Sequence, residues 1–260
     1  MQSAMSIQVD LRGLLDSWPY DPENSVRKAR GADGRQILQV RQPLGIEQYE
    51  LDGRPDGQRP HGRESALDYY MERLVRARAE GEAASFVLDG DECVELFNEG
   101  TLYYFRYLHL FEVKDWQRTV RDTARNIQLF DFVKRHAVRE EDRQNLEKWR
   151  PYILRMNAIA RAMLQLEAQN YGAAVDIVQE AIRKIEVLPE VDDDTFKYER
   201  YRSLGTLREL VAEVEKNRPL TETERLEQKL RQAVAAQDFE RAAQLRDRIR
   251  ELKTRMKAEG

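Results

Sequence analysis

From residue 64 onward, apolar side chains recur at three- and four-residue intervals, the spacing of one helix face. Leu67, Tyr70, Met71, Leu74 and Val75 make the first stripe, which Gly81-Glu-Ala-Ala-Ser85 interrupts. Residues 93–111 predict a long, aromatic-rich helix carrying Phe97, Tyr103, Tyr104, Phe105, Tyr107 and Phe111. A further helix starts at Glu147-Lys-Trp149-Arg-Pro151 and runs through Ile153, Met156, Ile159, Ala160 and Leu164. The next carries Val175, Ile177, Val178, Ala181, Ile182 and Ile185 and stops before Pro189. Asp192-Asp-Asp-Thr195 reads as an acidic helix start, favourable at the positive end of the helix dipole, ahead of Phe196, Tyr198, Tyr201, Leu204, Leu207, Leu210 and Val214. The last two stripes are Leu226, Leu230, Ala233 and Val234, then Phe239, Ala242, Leu245, Ile249 and Leu252; they meet at Asp238-Phe239 and predict a helical hairpin. Thr221-Glu-Thr-Glu224 reads as a capping box for its first helix, and Pro219 ends the helix before it. Small Ala242 and Ala243 let the two helices approach, and Phe239 is expected to plug the closed end.

The first 62 residues differ. Ile7, Val9, Leu11, Leu14, Leu15 and Trp18 suit a short segment docking on the body. Val26-Arg-Lys-Ala-Arg30, Gln36-Ile-Leu-Gln-Val40 and Ile46-Glu-Gln-Tyr-Glu-Leu51, separated by Gly31-Ala-Asp-Gly34 and Pro43-Leu-Gly45, predict a three-stranded antiparallel meander. Three strands need something to lie on, and the helical body is the surface at hand.

The C-terminal stripes carry the one stretch that reads as a signature. Its run Ala-Ala-Gln-Asp238-Phe239-Glu-Arg-Ala242-Ala243-Gln-Leu245-Arg246-Asp247-Arg-Ile249-Arg-Glu-Leu252 resembles the UVR motif of the excision-repair proteins UvrB and UvrC, found also in ClpC-type unfoldases and McsA-type kinase activators. Leu230 stands where Met is usual, and Gln237 where an apolar residue is common. The resemblance implies a hairpin that pairs with another hairpin and has no catalytic role. On that basis Leu230, Phe239, Ala242, Leu245, Ile249 and Leu252 are candidate partner-binding residues, with Arg246 and Asp247 giving polar register. The implied partner is a UvrB-, UvrC- or ClpC-like protein, or a second copy of the chain. The paired zinc cysteines of McsA-type activators are missing, as are the helicase motifs of UvrB and the nuclease domains of UvrC.

A weaker repeat runs through the body. Lys-Asp115-Trp116-Gln-Arg-Thr119-Val120 and Gln-Asn170-Tyr171-Gly-Ala-Ala174-Val175 both resemble Gln-Asp238-Phe239-Glu-Arg-Ala242-Ala243. Each has a polar turn, an aromatic opening a helix, and small residues three and four places on. The middle copy looks like a tetratricopeptide hairpin, although the irregular spacing of 55 and then 68 residues argues against a regular solenoid.

Composition adds limits. Charged residues make up 35% of the chain and the net charge is −4, which suits a soluble helical protein and gives no global attraction to nucleic acid or membrane. One cysteine, Cys93, excludes an internal disulfide and a multi-cysteine zinc site, and its apolar neighbours suit a small buried hydrophobe. No apolar run is long enough to span a bilayer, and the N-terminus lacks a secretion-signal layout, so the expected location is cytoplasmic.

Candidate chemistry is sparse. His61, His109 and His136 have no metal-ligand spacing, and no Walker loop, dinucleotide fingerprint or nucleophile elbow occurs. The aromatics of residues 93–111 have only Arg106 among them and read as core rather than as a base-stacking surface. The loop Asp52-Gly-Arg-Pro-Asp-Gly-Gln-Arg-Pro-His61-Gly62 reads first as a connector whose glycines take positive φ, and second as an anion-binding loop with Arg54, Arg59 and His61 as donors. Arg246, Arg248, Arg250, Lys253, Arg255 and Lys257 make the last helix basic; phosphate contact is the rival of the simpler reading, a solvated face near a helix C-terminus.

The reading is therefore a mainly α protein of three parts: a β-rich segment at 1–62, a tetratricopeptide-like helical body at 63–217 and a UVR hairpin at 218–258. It is expected to be a protein-binding adaptor without cofactor or metal; nucleic-acid association through the basic helix is the alternative, and an enzyme using the 52–62 loop the remote one.

Overall fold

A computed structural model describes residues 10–220 and 222–259, without the side chains of Lys253 and residues 255–259. Ile7 and Val9 of the docking segment, and Thr221 of the expected capping box, lie outside the described residues. Residues up to Ala212 form one compact unit and those from Glu213 a second. The β-rich segment and the helices that follow it thus share one unit.

The meander forms as the alternation predicts: β1 (Val26–Arg30), β2 (Gln36–Gln42) and β3 (Gly45–Glu50), antiparallel in that order. Val26 pairs with Val40, and Leu38 with Tyr49. Leu38, Val40, Tyr49 and Leu51 bury against Leu110 and the half-buried Val113, so the sheet lies on the C-terminal end of one long helix. The segment before it, with the short helix α1 (Arg12–Ser17), meets the sheet: the Trp18 carbonyl accepts from Arg41 Nε at 2.7 Å, and the Arg27 guanidinium sits 3.8 Å over the Trp18 ring. Leu11 and Leu14 stay exposed.

Helices α2 (Ala66–Ala79), α3 (Gly90–Glu112) and α4 (Trp116–His136) share a core with the next long helix, α6 (Arg150–Glu167), reached through the short α5 (Glu140–Asn145). Tyr70, Leu96, Tyr107, Leu129, Phe130, Val133 and Ile153 sit in that core. Asp89 and Glu92 close a reciprocal cap at the start of α3, each side chain accepting from the other's N–H at 3.0 Å. A second cluster joins α6 to α7 (Tyr171–Glu186) and the first part of α8 (Asp194–Asn217) through Ala158, Ala162, Ala174, Val178, Ile185 and Leu207. Asp193 caps α8, accepting from Thr195 N at 2.7 Å. Tyr198 and Tyr201, placed in the α8 stripe by spacing, face solvent instead.

Cys93 is buried in the first cluster, and burial pushes its thiol up to about 12. Only the thiolate attacks disulfides. Cys93 is therefore expected to resist Ellman's reagent at pH 8 in the folded chain and to label stoichiometrically in denaturant.

Where the sheet meets the helices, a polar cluster is built around three fully buried charged groups, Arg106, Asp122 and Glu99. Arg106 on α3 donates to Asp122 on α4 through Nε (2.7 Å) and a terminal nitrogen (2.9 Å). Its other terminal nitrogen donates to the carbonyls of Glu50 and Gly53, both at 2.8 Å. Arg121 holds Asp52 at 2.9 Å and the Leu51 carbonyl at 2.7 Å. Buried Glu99 accepts from the N–H groups of Ala66 (2.7 Å) and Leu67 (3.1 Å), anchoring the start of α2, and pairs with Arg125. The lone arginine of the aromatic run is the clasp between strand β3, its outgoing loop and the helices.

Candidate partner-binding hairpin

Helices α9 (Glu222–Ala235) and α10 (Phe239–Glu259) form the hairpin that the last two stripes predict. The tight turn has a backbone cause. Gln237 sits in the left-handed region at φ 59°. Its N–H donates to the Val234 carbonyl at 3.0 Å, and the Asp238 N–H reaches back to the Ala233 carbonyl at 2.9 Å. This pair of bonds closes a helix in the Schellman manner. Asp238 then starts α10, its carboxylate accepting from Arg241 N at 3.1 Å.

The other two copies of the repeat do the same. Lys114 (φ 57°) and Gln169 (φ 61°) occupy the left-handed position. Asp115 N–H reaches Leu110, and Asn170 N–H reaches Gln165, both at 2.8 Å. The residues four places beyond, Thr119, Ala174 and Ala242, are all buried, so a small side chain sits where the paired helices come close. The repeat is thus a turn chemistry, with no glycine at the position that favours one. Gln237→Gly removes the steric cost of left-handed backbone, roughly 1 kcal/mol. It is expected to delay loss of the hairpin's helical signal in urea, whereas Gln237→Val is expected to advance it.

The aromatic does not behave alike in the three copies, which corrects the expectation that Phe239 plugs the hairpin. Trp116 is 6% exposed: its ring meets Phe111 of its own mate α3 at 5.1 Å, and its indole N–H donates to Glu167 of a third helix, α6, at 2.9 Å. Tyr171 is half-buried. Phe239 is 69% exposed. At the first position of its helix this side chain projects past the turn, and two helices alone do not cover it.

Burial divides the candidate residues. Ala233, Ala242 and Ile249 are buried, and Leu226, Leu230, Leu245 and Leu252 are half-buried; these serve closure of the hairpin first. Phe239 and Val234, the latter 52% exposed, are turned outward. Val234 was not among the candidates; its signal was membership of the first apolar stripe. Arg246 and Arg250 both lie near Asp247, at 3.6 and 3.4 Å, along one exposed side of α10. Lys253, Arg255 and Lys257 fall among the undescribed side chains. Arg218 reaches Glu224 at 2.8 Å and ties the incoming chain to the first turns of α9.

The 52–62 loop takes the connector geometry. Gly53, Gly57 and Gly62 all have positive φ, as does His61 at 52°. Arg54 turns inward, 3.1 Å from Asp56 and 3.6 Å from Glu99. His61 stacks on Tyr69 with centroids 4.0 Å apart and meets Glu95 at 3.1 Å. Arg59 stays exposed. Arg54 and His61 each face a carboxylate that an incoming anion would have to displace, so the three donors do not make a prepared anion site.

Among the described residues no helix is long and apolar enough to cross a membrane. No curated protein and no solved structure matches the chain. The UvrB/uvrC motif model matches residues 221–255, and the helix pair found there has the hairpin form the sequence predicts, so the chain carries a C-terminal UVR motif.

Proposed function

We propose that this protein is a non-catalytic adaptor that binds a partner helix pair through the outer face of its UVR hairpin. What supports the reading is Phe239: a large aromatic, mostly exposed, at a turn whose counterpart at Trp116 is buried and bonded to a third helix. Large aromatics are the usual anchors of protein interfaces, and Val234 is a second exposed apolar side chain of the hairpin. Leu230, Ala242, Leu245, Ile249 and Leu252 shape that face from behind. The motif occurs in UvrB-, UvrC- and ClpC-like proteins, so the partner is sought in excision repair or in ClpC-type protein quality control, in a cytoplasmic setting. The helical body, tetratricopeptide-like by its repeats, serves as the platform.

The test is affinity capture from a bacterial lysate with nuclease present, comparing the full chain with Phe239→Asp. A UVR-bearing protein retained by the first and lost by the second supports the adaptor reading. Equal capture by both baits removes it. Capture by the full chain that appears only when nuclease is left out favours nucleic acid as the bridge instead.

A further inference from the structure

A cleft among α3, α4, α6 and α8 encloses a cavity of about 450 Å³, within the roughly 300–1,000 Å³ of small-molecule sites. It lies far along the chain from the UVR motif, and the adaptor reading does not use it. Its walls are aromatic: Tyr104, Phe105, Trp149 and Tyr152 line it. Tyr104 holds the set together, with ring centroids 5.3 Å from Phe105 and 6.0 Å from Tyr152. Trp149 and Phe105 are both more than two-fifths exposed. Contiguous exposed apolar surface of this kind marks binding grooves, as single exposed side chains do not.

One side of the cleft is charged, and its charges are loosely matched. Glu199 and Arg202 line it. Glu199 is buried, yet one carboxylate oxygen has no hydrogen-bond partner; it lies 3.5 Å from Arg155, in ion-pair range only. Arg202 approaches the other oxygen no closer than 3.8 Å and keeps more than half of its side chain in solvent. Buried Arg155, stacked near Tyr152 at 5.1 Å, has a terminal nitrogen without a partner, and buried Ser203 a hydroxyl in the same condition. Buried polar groups are nearly always satisfied, and this cluster has three that are not. Of these charged groups Glu199 and Arg202 face the cleft; with the buried Arg155 beside Glu199, two guanidiniums stand against one carboxylate and leave the cluster with a positive excess.

We infer that this cleft binds a flat, apolar small molecule carrying a single negative charge. Its ring system lies against Tyr104, Trp149 and Tyr152, and its anionic end meets Arg202. The cation-binding alternative, an ammonium caged by the same rings, would meet Arg202 on the wall beside Glu199 and the buried charge of Arg155, 3.5 Å from the same carboxylate. Both guanidiniums oppose it.

The experiment titrates the full chain by calorimetry with three probes of one ring system: 2-naphthoate, 2-naphthylmethanol and 2-naphthylmethylammonium. Saturable one-to-one binding is expected, with naphthoate at least tenfold tighter than the ammonium and tighter than the alcohol. Arg202→Gln, a change at a largely exposed side chain, is expected to erase the advantage of naphthoate over the alcohol and to leave the alcohol's affinity in place. Thr101→Trp, which fills the cleft, is expected to weaken all three, and Trp149→Leu repeats that test if the first variant does not fold. No saturable binding of any probe, a preference for the ammonium, or a naphthoate advantage that survives Arg202→Gln each overturns the inference.

Discussion

Phe239→Asp is expected to weaken binding of a UVR-bearing partner by roughly 30-fold or more while leaving the chain's helicity and melting unchanged. The size follows from anchor behaviour: truncating a central aromatic at an interface costs about 2 kcal/mol or more, and each 1.4 kcal/mol is about tenfold in affinity. An aspartate adds the desolvation of a charge to that loss. The absence of a folding effect follows from exposure, since Phe239 is mostly in solvent and gives up little apolar burial. Ile249→Asp is the control that separates the two roles. Ile249 is buried between the helices, so the charge there is expected to unfold the hairpin, with loss of helical signal and of binding together. Val234→Asp is expected to follow Phe239→Asp, since Val234 is also outward. Circular dichroism with titration of the captured partner distinguishes the cases. A Phe239→Asp chain that binds as well as the wild type would show that the outer face is not the interface.

That contrast also marks what the sequence could and could not convey. The hairpin was legible because everything that makes it is local: two stripes at helical spacing, an Asp that starts α10, and the short polar turn Gln237-Asp238. The repeated turn was legible for the same reason, although its cause lies in the left-handed backbone of Lys114, Gln169 and Gln237 rather than in the aromatic that follows. A stripe of apolar residues records that a helix has an apolar side. It does not record how much of that side its own mate covers. Phe239 and Ile249 belong to one stripe and part ways only when the second helix is placed. The meander was legible from its alternation and turns, but its seat on the end of α3 depends on Leu110 and Val113 meeting strands some 60 residues earlier. Long-range placement explains the 52–62 loop too. Its glycines were readable as positive-φ positions, whereas the inward turn of Arg54 depends on Glu99, which no local pattern brings near.

The least legible feature carries the other large expectation. Asp122→Ala is expected to destabilise the unit containing the sheet by about 3–5 kcal/mol, the usual cost of leaving one partner of a buried ion pair uncompensated. For a chain of this size that lowers the melting temperature by roughly 6–20 °C. Arg106 is fully buried, and Asp122 supplies two of its four hydrogen bonds. No solvent is at hand to replace them. The other two go to the carbonyls of Glu50 and Gly53 and fasten the end of β3 to α3. The double variant Arg106→Met with Asp122→Leu removes both charges at once and is expected to recover part of the loss, since apolar pairs of similar size replace buried ion pairs at little cost. Recovery cannot be complete if the carbonyls matter, because each is left without its donor at a cost of about 1–3 kcal/mol. Thermal melts of the two variants and limited proteolysis at the 52–62 loop decide between the contributions. A double variant that melts like the wild type and resists cleavage would mean that the sheet is held by Leu38, Val40, Tyr49 and Leu51 alone. One that melts above Asp122→Ala yet is cleaved at the loop would show that the ion pair sets stability while the arginine's carbonyl bonds hold the connection between sheet and helices.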